Sequence, residues 1–173
     1  KLSRVVTDPE LLILRAKLSQ LLSPELDKRG RDFYSASATS EVEKMVYKLR
    51  INSGRYQITT SNVKLPVTVI NEFNSDVMID IAMVPINSRV VVGSFEDVTI
   101  PAQSKLQLEM PVDVIAPGQT SVSALITDNK GSELVPEATL TLNSTVIDPR
   151  VTWFTTGAAI LLLLAAVAQS VRR

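Results

Sequence analysis

Apolar residues change their spacing twice along this chain. Up to about residue 50 they recur every three or four positions. From residue 55 to residue 146 they recur every second position. Residues 151–168 then run without a charge or a proline. These three patterns predict amphipathic helices, half-buried strands and one long apolar helix, in that order.

In the first part, Thr7-Asp8-Pro9-Glu10 has the form of a capping box. Thr7 is the expected N-cap, Glu10 reaches back, and Pro9 is tolerated in the first turn. Leu11, Leu14, Leu18 and Leu21 follow as one apolar stripe, which Ser23-Pro24-Glu25 breaks or restarts. Residues 27–40 are polar, with Gly30 and a Ser/Ala/Thr cluster around one apolar spot, Phe33-Tyr34, and read as a connector. Ser40 and Glu43 repeat the capping pattern ahead of Val42, Met45, Val46 and Leu49. These stripes need a surface to cover. They can pack on each other, on the next domain, or on preceding sequence, which is the favoured reading.

Asn52-Ser53-Gly54 is the expected boundary where the period changes. Beyond it, seven or eight short β-rich runs follow at a spacing of roughly 8–12 residues. They include Leu65-Pro66-Val67-Thr68-Val69-Ile70, the stretch 77–84, the stretch 121–127 and Thr139-Leu140-Thr141-Leu142. Pro66 cannot donate to a ladder and belongs at a strand start or an edge. The turns carry residues that tolerate positive φ, as in Asp128-Asn129-Lys130-Gly131. The expected fold is mainly β: an immunoglobulin-like β-sandwich over residues 55–147. A helical segment (1–50), the tail end of a preceding ectodomain, leads into it, and one transmembrane α-helix (151–171) follows. No Trp or Cys pair lies in the sandwich, so it is not of the antibody type.

The uncharged run would make ~27 Å of helix at ~1.5 Å per residue, close to the ~30 Å hydrocarbon core of a bilayer. Trp153 and Phe154 stand where an aromatic belt belongs, and Arg172 and Arg173 close the other end. The arginine pair places the C-terminus in the cytoplasm and the N-terminal region outside, at the plasma membrane. The chain begins with Lys1 and has no export signal of its own, so a longer precursor is expected. Within the span, Thr155, Ala159, Leu162, Ala166 and Gln169 share one face. Such a face suits either a partner helix or a plain anchor with Gln169 reaching the headgroups.

Composition removes much chemistry. Lys+Arg and Asp+Glu both number 18, so no basic field exists to attract nucleic acid. There is no His and no Cys. That removes the commonest general base, the Ser-His-Asp arrangement, disulfides and thiolate metal sites. No carboxylates have calcium-loop spacing, no pair stands out as an acid/base couple, and Asp80 reads as a solvated charge. No Gly-rich phosphate loop occurs, and Asn143-Ser144-Thr145 is only a formal glycosylation sequon. No catalytic, cofactor or metal site is expected, and the chain reads as no enzyme.

One order of features is informative. Leu65-Pro66-Val67-Thr68-Val69-Ile70-Asn71 opens the sandwich, Pro117-Gly118 precedes a strand, and Ser144-Thr145 leads to an aromatic-flanked span and an Arg tail. From about residue 55 to the end, this resembles the C-terminal part of an actinobacterial cell-envelope family. Its members have a membrane-proximal immunoglobulin-like domain and one C-terminal transmembrane helix, and are encoded beside the MurJ-type lipid II flippase. The resemblance implies a non-catalytic accessory or regulatory subunit of a cell-envelope membrane complex. Its partners would be membrane lipid and a polytopic protein of peptidoglycan synthesis, the lipid II flippase. The alternative is a membrane-anchored glycan-binding or adhesin-stalk module.

Overall fold

The structure, a computed structural model, describes residues 1–20, 27–145 and 149–171; within the helices, the side chains of residues 20, 149–155, 165, 168, 170 and 171 are outside that description. The chain is mainly β, as the alternating pattern requires. A 3-10 turn (Leu2–Arg4) and two helices, α1 (Pro9–Gln20) and α2 (Lys28–Tyr47), come first. Among the described residues nine strands follow: β1 (Leu49–Ile51), β2 (Gly54–Ile58), β3 (Asn62–Asn71), β4 (Val77–Pro85), β5 (Val90–Val92), β6 (Phe95–Ile100), β7 (Ser104–Val114), β8 (Gly118–Thr127) and β9 (Ala138–Ser144). Helix α3 (Pro149–Val171) closes the chain.

The strands form two sheets, one ordered β1-β3-β7-β5 and the other β2-β9-β8-β4-β6. Burial alternates along them. Leu65, Val67 and Val69 of β3 face inward from the first sheet. Ile79, Ile81 and Met83 of β4, Val122, Ala124 and Ile126 of β8, and Leu140 and Leu142 of β9 face inward from the second. Period-two alternation thus puts alternate residues into one shared core and leaves those between them half-buried or exposed, except at the ends of β3 and β8, where Ile70, Asn71 and Thr127 are buried too. All neighbours are antiparallel except β2, which runs parallel to β9 with Ile58 opposite Ser144.

Two prolines sit inside strands, and the pairing shows why they are tolerated. The Pro66 carbonyl accepts from the Tyr56 hydroxyl at 2.6 Å, so this residue's polar groups point away from β7, toward the side that β1 reaches only at residues 69–71. Likewise the Pro111 carbonyl accepts from Gly93 N–H at 3.0 Å, next to the point where β5 pairing stops at Val112. The missing N–H of Pro66 falls where β1 no longer pairs, and Pro111 lies against Gly93, where a Cβ would come within 2.6 Å of the proline ring, so β7 runs unbroken through Pro111.

The N-terminal part departs from its expected layout. Asp8, not Thr7, caps α1: its carboxylate accepts from Glu10 N–H at 2.9 Å, with Pro9 as the first helical residue. A carboxylate is the stronger acceptor and is favoured by the helix dipole. Residues 28–40 are helical rather than a connector. Asp27 caps α2 through Gly30 N–H at 2.8 Å, and Thr39 returns its hydroxyl to the Ser35 carbonyl at 2.9 Å. Ser40 therefore lies inside a helix and caps nothing. Leu49 belongs to β1, opposite Asn71, so the strand pattern starts ahead of the turn cluster 52–54.

The apolar stripes do find cover. Leu2 and Val6 are buried within the sandwich core itself, and Val5, Leu11, Met45 and Val46 pack against it. Leu14 is buried, while Leu21 lies outside the described residues. The helices sit at the end of the sandwich formed by the turn 72–76 and the loop 128–137. The opposite end carries loops 59–61, 86–89 and 115–117 and is where β9 runs toward α3.

Phe73 is fully buried in the β3–β4 turn, with the Lys48 ammonium 5.8 Å from its ring centre. Phe73→Ala should therefore cost about 3–5 kcal/mol of stability. Phe33→Ala, at a ring 71% exposed on α2, should stay within about 0.5 kcal/mol. Urea titrations followed by far-ultraviolet circular dichroism will separate the two. Equal midpoints for both variants would refute the assigned core.

Candidate functional site

The sequence points to α3, and its geometry can be built from the helix period. At ~100° per residue, positions 155, 159, 162, 166 and 169 fall within an arc of about 80°. Ala159, Leu162, Ala166 and Gln169 are all exposed along this face. Ile160, Leu161, Leu163, Leu164 and Val167, each 53–69% exposed, cover a different sector. One helix thus carries a bulky aliphatic side beside a face on which Ala159 and Ala166 flank the exposed Leu162 and Gln169 adds an amide. Gly157 adds no side chain, and a Cβ there would meet nothing within 4 Å. The side chains of Trp153, Phe154 and Thr155, and residues Arg172 and Arg173, lie outside the described residues. Among the described residues, no helix is long and apolar enough to cross a membrane.

The other concave surfaces are shallow. A groove of about 330 Å³ runs between α1 and α2, lined by Ile13, Leu14 and Met45 under Glu10, Lys17, Glu41, Lys44 and Lys48. Its charges are largely spent internally: Lys17 pairs with Glu41 at 3.2 Å, and Lys48 pairs with Glu10. A polar depression of about 400 Å³ lies on the outer face of β2, β9 and β8, formed by Arg55, Tyr56, Gln57, Gln119, Thr141 and Asn143. There Asn143 donates to Gln57 at 3.4 Å, so the sequon side chain belongs to an amide row across three strands. Among the described residues, no three His, Cys, Asp or Glu side chains gather as metal ligands.

Buried polar residues do structural work that the sequence pattern did not reveal. Asp8 and Asp128 are each 1% exposed. Asp8 accepts from Asn74 N–H at 2.7 Å, holding α1 to the β3–β4 turn. Asp128 accepts from Ser132 N–H at 2.8 Å and Lys130 N–H at 3.0 Å, and from the Arg4 guanidinium at 3.2 Å. The two carboxylates thus clasp the N-terminal segment to the sandwich. Burial pushes the Asp8 carboxyl up, but the N–H groups of Asn74 and Glu10 and the charge of Lys48 outweigh it, and it stands below the ordinary value. Asp128 is lowered first by the Ser132 N–H, then, against burial, by Lys130 N–H and Arg4. Asp80, expected as a solvated charge, accepts from Asp97 N–H at 2.8 Å and holds that residue at φ 52°. It fixes the bulge between β4 and the edge strand β6.

A family model matches residues 2–173, from the clasped segment through α3. The chain belongs to the family of unknown function DUF6049. No curated protein matches it significantly. Solved structures match parts of this DUF6049 chain at low identity. The secreted serine protease VesC of Vibrio cholerae has 11% identity and a TM-score of 0.44, over 61% of this chain and 24% of its own. The DUF6049 chain therefore spans about a quarter of VesC. WR4, a C. elegans MSP family member, has 9% identity and a TM-score of 0.40, over 57% of this chain and 98% of its own. The ASH/PapD-like domain 7 of human CEP192 has 9% identity and a TM-score of 0.40, over 58% and 87%.

The clasp has a definite pH signature. Both aspartates have folded-state pKa values below their unfolded value of about 3.9. Their stabilisation is thus fully present above that value and is lost as pH falls through the depressed folded values. Unfolding midpoints should hold steady from neutral pH to about 5 and fall below about 4. In Asp8→Asn and Asp128→Asn the acid limb should flatten. An acid limb identical in both variants to the parent would show that the clasp contributes nothing.

Proposed function

We propose that this DUF6049 chain is the membrane-proximal part of a single-pass cell-envelope protein and acts as a non-catalytic accessory subunit. In this reading α3, taken over the whole uncharged run 151–168 and not only over its described residues, crosses the plasma membrane, with the sandwich outside and the C-terminus in the cytoplasm. The uncharged run 151–168 and the flanking Trp153, Phe154, Arg172 and Arg173 support that placement. The observation that carries the reading is the two-sided surface of α3. Its aliphatic sector suits lipid, and its alanine face lets another helix approach closely. Gln169 on that same face would donate and accept hydrogen bonds across the contact.

The partner proposed is a polytopic membrane protein of peptidoglycan precursor export, the MurJ-type lipid II flippase. The sandwich, which we read as immunoglobulin-like, would meet its outer loops while α3 packs beside its helices. Regulation would follow only if those contacts differ between two states of the partner, since a ligand shifts an equilibrium by its differential affinity. The ten-residue β3 spans ~33 Å at ~3.3 Å per residue. The sandwich thus sets the helical pair well away from α3.

A second reading has its own support. The acid-free depression of Arg55, Gln57, Gln119, Thr141 and Asn143 offers amides and hydroxyls in rows, the groups that bind polyhydroxylated sugars. It would make the sandwich a glycan-binding module held by an anchor.

Capture from native membranes in mild detergent discriminates the two. Ala159→Leu with Ala166→Leu should reduce recovery of a polytopic cell-wall transporter at least about tenfold, the effect of ~1.4 kcal/mol. The ectodomain's circular dichroism should not change. Undiminished recovery with the leucine face would reject α3 as a recognition element. Glycan retention lost in Arg55→Ala and Gln119→Ala would favour the second reading.

A further inference from the structure

The two ends of the sandwich differ in both hydropathy and charge. Among the described residues, five large apolar residues of the strands and their loops are exposed: Met78, Val84, Ile86, Val91 and Ile115. Four of them, all but Met78, lie at or beside the end from which β9 leads to α3. Ile86 and Ile115 are the most exposed, at 70% and 66%, and stand in the loops 86–89 and 115–117. Ordinary packing does not explain them. Both loops are held rigidly from behind: Ile86 N–H donates to the Ser121 carbonyl at 2.9 Å, and Ile115 N–H to the Arg89 carbonyl at 2.8 Å. The Arg89 guanidinium ties the two loops by donating to the Pro117 carbonyl at 2.5 Å. Gly118, at φ 122°, leaves that guanidinium room, since a Cβ there would lie 3.0 Å from it.

Charge divides the same way. Loops 59–61, 86–89 and 115–117 contain no carboxylate and one cation, Arg89; Asp113 of β7, opposite Val91, stands just ahead of the last of these loops, and Asp148 just ahead of α3 in the sequence. The far end carries Glu72, Asp76, Asp128, Glu133 and Glu137. Chain length fixes what these acid-free loops face. Thr145 follows β9, and Pro149 begins α3 four residues later. Four residues span at most about 14 Å. If α3 enters a bilayer near its start, this end of the sandwich can stand no further than that from the membrane surface.

Resting on the proposed span, we infer that this end of the sandwich is a bilayer-contacting surface. Ile86 and Ile115 enter the interface of the outer leaflet, and Arg89 lies at the level of anionic headgroups. Two apolar loop tips beside a spanning helix give three points of contact, which fix the tilt of the sandwich. An apolar side chain and a cation are the pair that interfacial binding uses. The contact converts a tethered domain into an oriented one.

Because the chain has no cysteine, single labels can be placed without background. The full chain would be made with Ile86→Cys, Ile115→Cys, Lys130→Cys or Leu162→Cys, each labelled with a nitroxide and reconstituted in vesicles containing anionic phospholipid. Collision with lipid-soluble oxygen and with a water-soluble nickel chelate reports depth. The labels at 86 and 115 should read within ~5–10 Å of the headgroup boundary, the label at 130 should read as aqueous, and the label at 162 as deep. If 162 is deep while 86 and 115 are as aqueous as 130, the inference fails and the span stands. If 162 is itself aqueous, the span fails and the inference falls with it.

Discussion

Asn71 is fully buried, uncharged, and spends its whole amide on one task. The two hydrogens of its Nδ2 are shared among the carbonyls of Ser75, Ile100 and Pro101, and its Oδ1 accepts from Phe73 N–H. A buried amide left unpaired would cost more than the bonds return, so the surrounding backbone has little freedom to move. This one side chain sets the path of the β3–β4 turn and joins it to the β6–β7 turn. The turn then presents Asn74 N–H to Asp8, which places α1, and buries Phe73 beneath Lys48. The end of the sandwich and the helices on it therefore hang on a residue that carries no charge and touches no solvent.

The second constraint is that the sandwich does not complete its core alone. Leu2 and Val6 enter that core, and the carboxylates of Asp8 and Asp128 hold the segment in place. The N-terminal helices are thus bound to the sandwich by apolar contact and by charge-assisted bonds at once. The family match begins at residue 2, so the clasped segment lies within the same unit as the strands.

What could be read from the sequence was whatever repeats. Alternation in 77–84 and 121–127 marked strands with their inward faces, and the stripe of Val42, Met45 and Val46 marked a helix correctly. What could not be read depended on partners far along the chain. Arg4 meets Asp128 across 124 residues, and Asp8 meets Asn74 across 66. No local pattern distinguishes those aspartates from solvated ones, which is also why Asp80 looked idle. The helical character of 28–40 was hidden because Ser, Ala and Thr serve loops and helices alike, and only the Asp27 cap decides between them. On α3 the spacing of Thr155, Ala159, Leu162, Ala166 and Gln169 defines a shared face by helix period alone, and what that face meets is not written in the period.

The parallel pairing of β2 with β9 has a mechanical meaning. β9 leads toward α3, and its neighbours β2 and β8 grip it on both sides through ladders that run along its length. The helices that leave the sandwich at the far end would transmit any pull in the opposite direction. Tension between the two ends thus loads β9 in shear, so that its ladder bonds must fail together rather than one after another. A sheet strained this way gives a stiff strut, and its resistance is set by the rate of unfolding rather than by equilibrium stability.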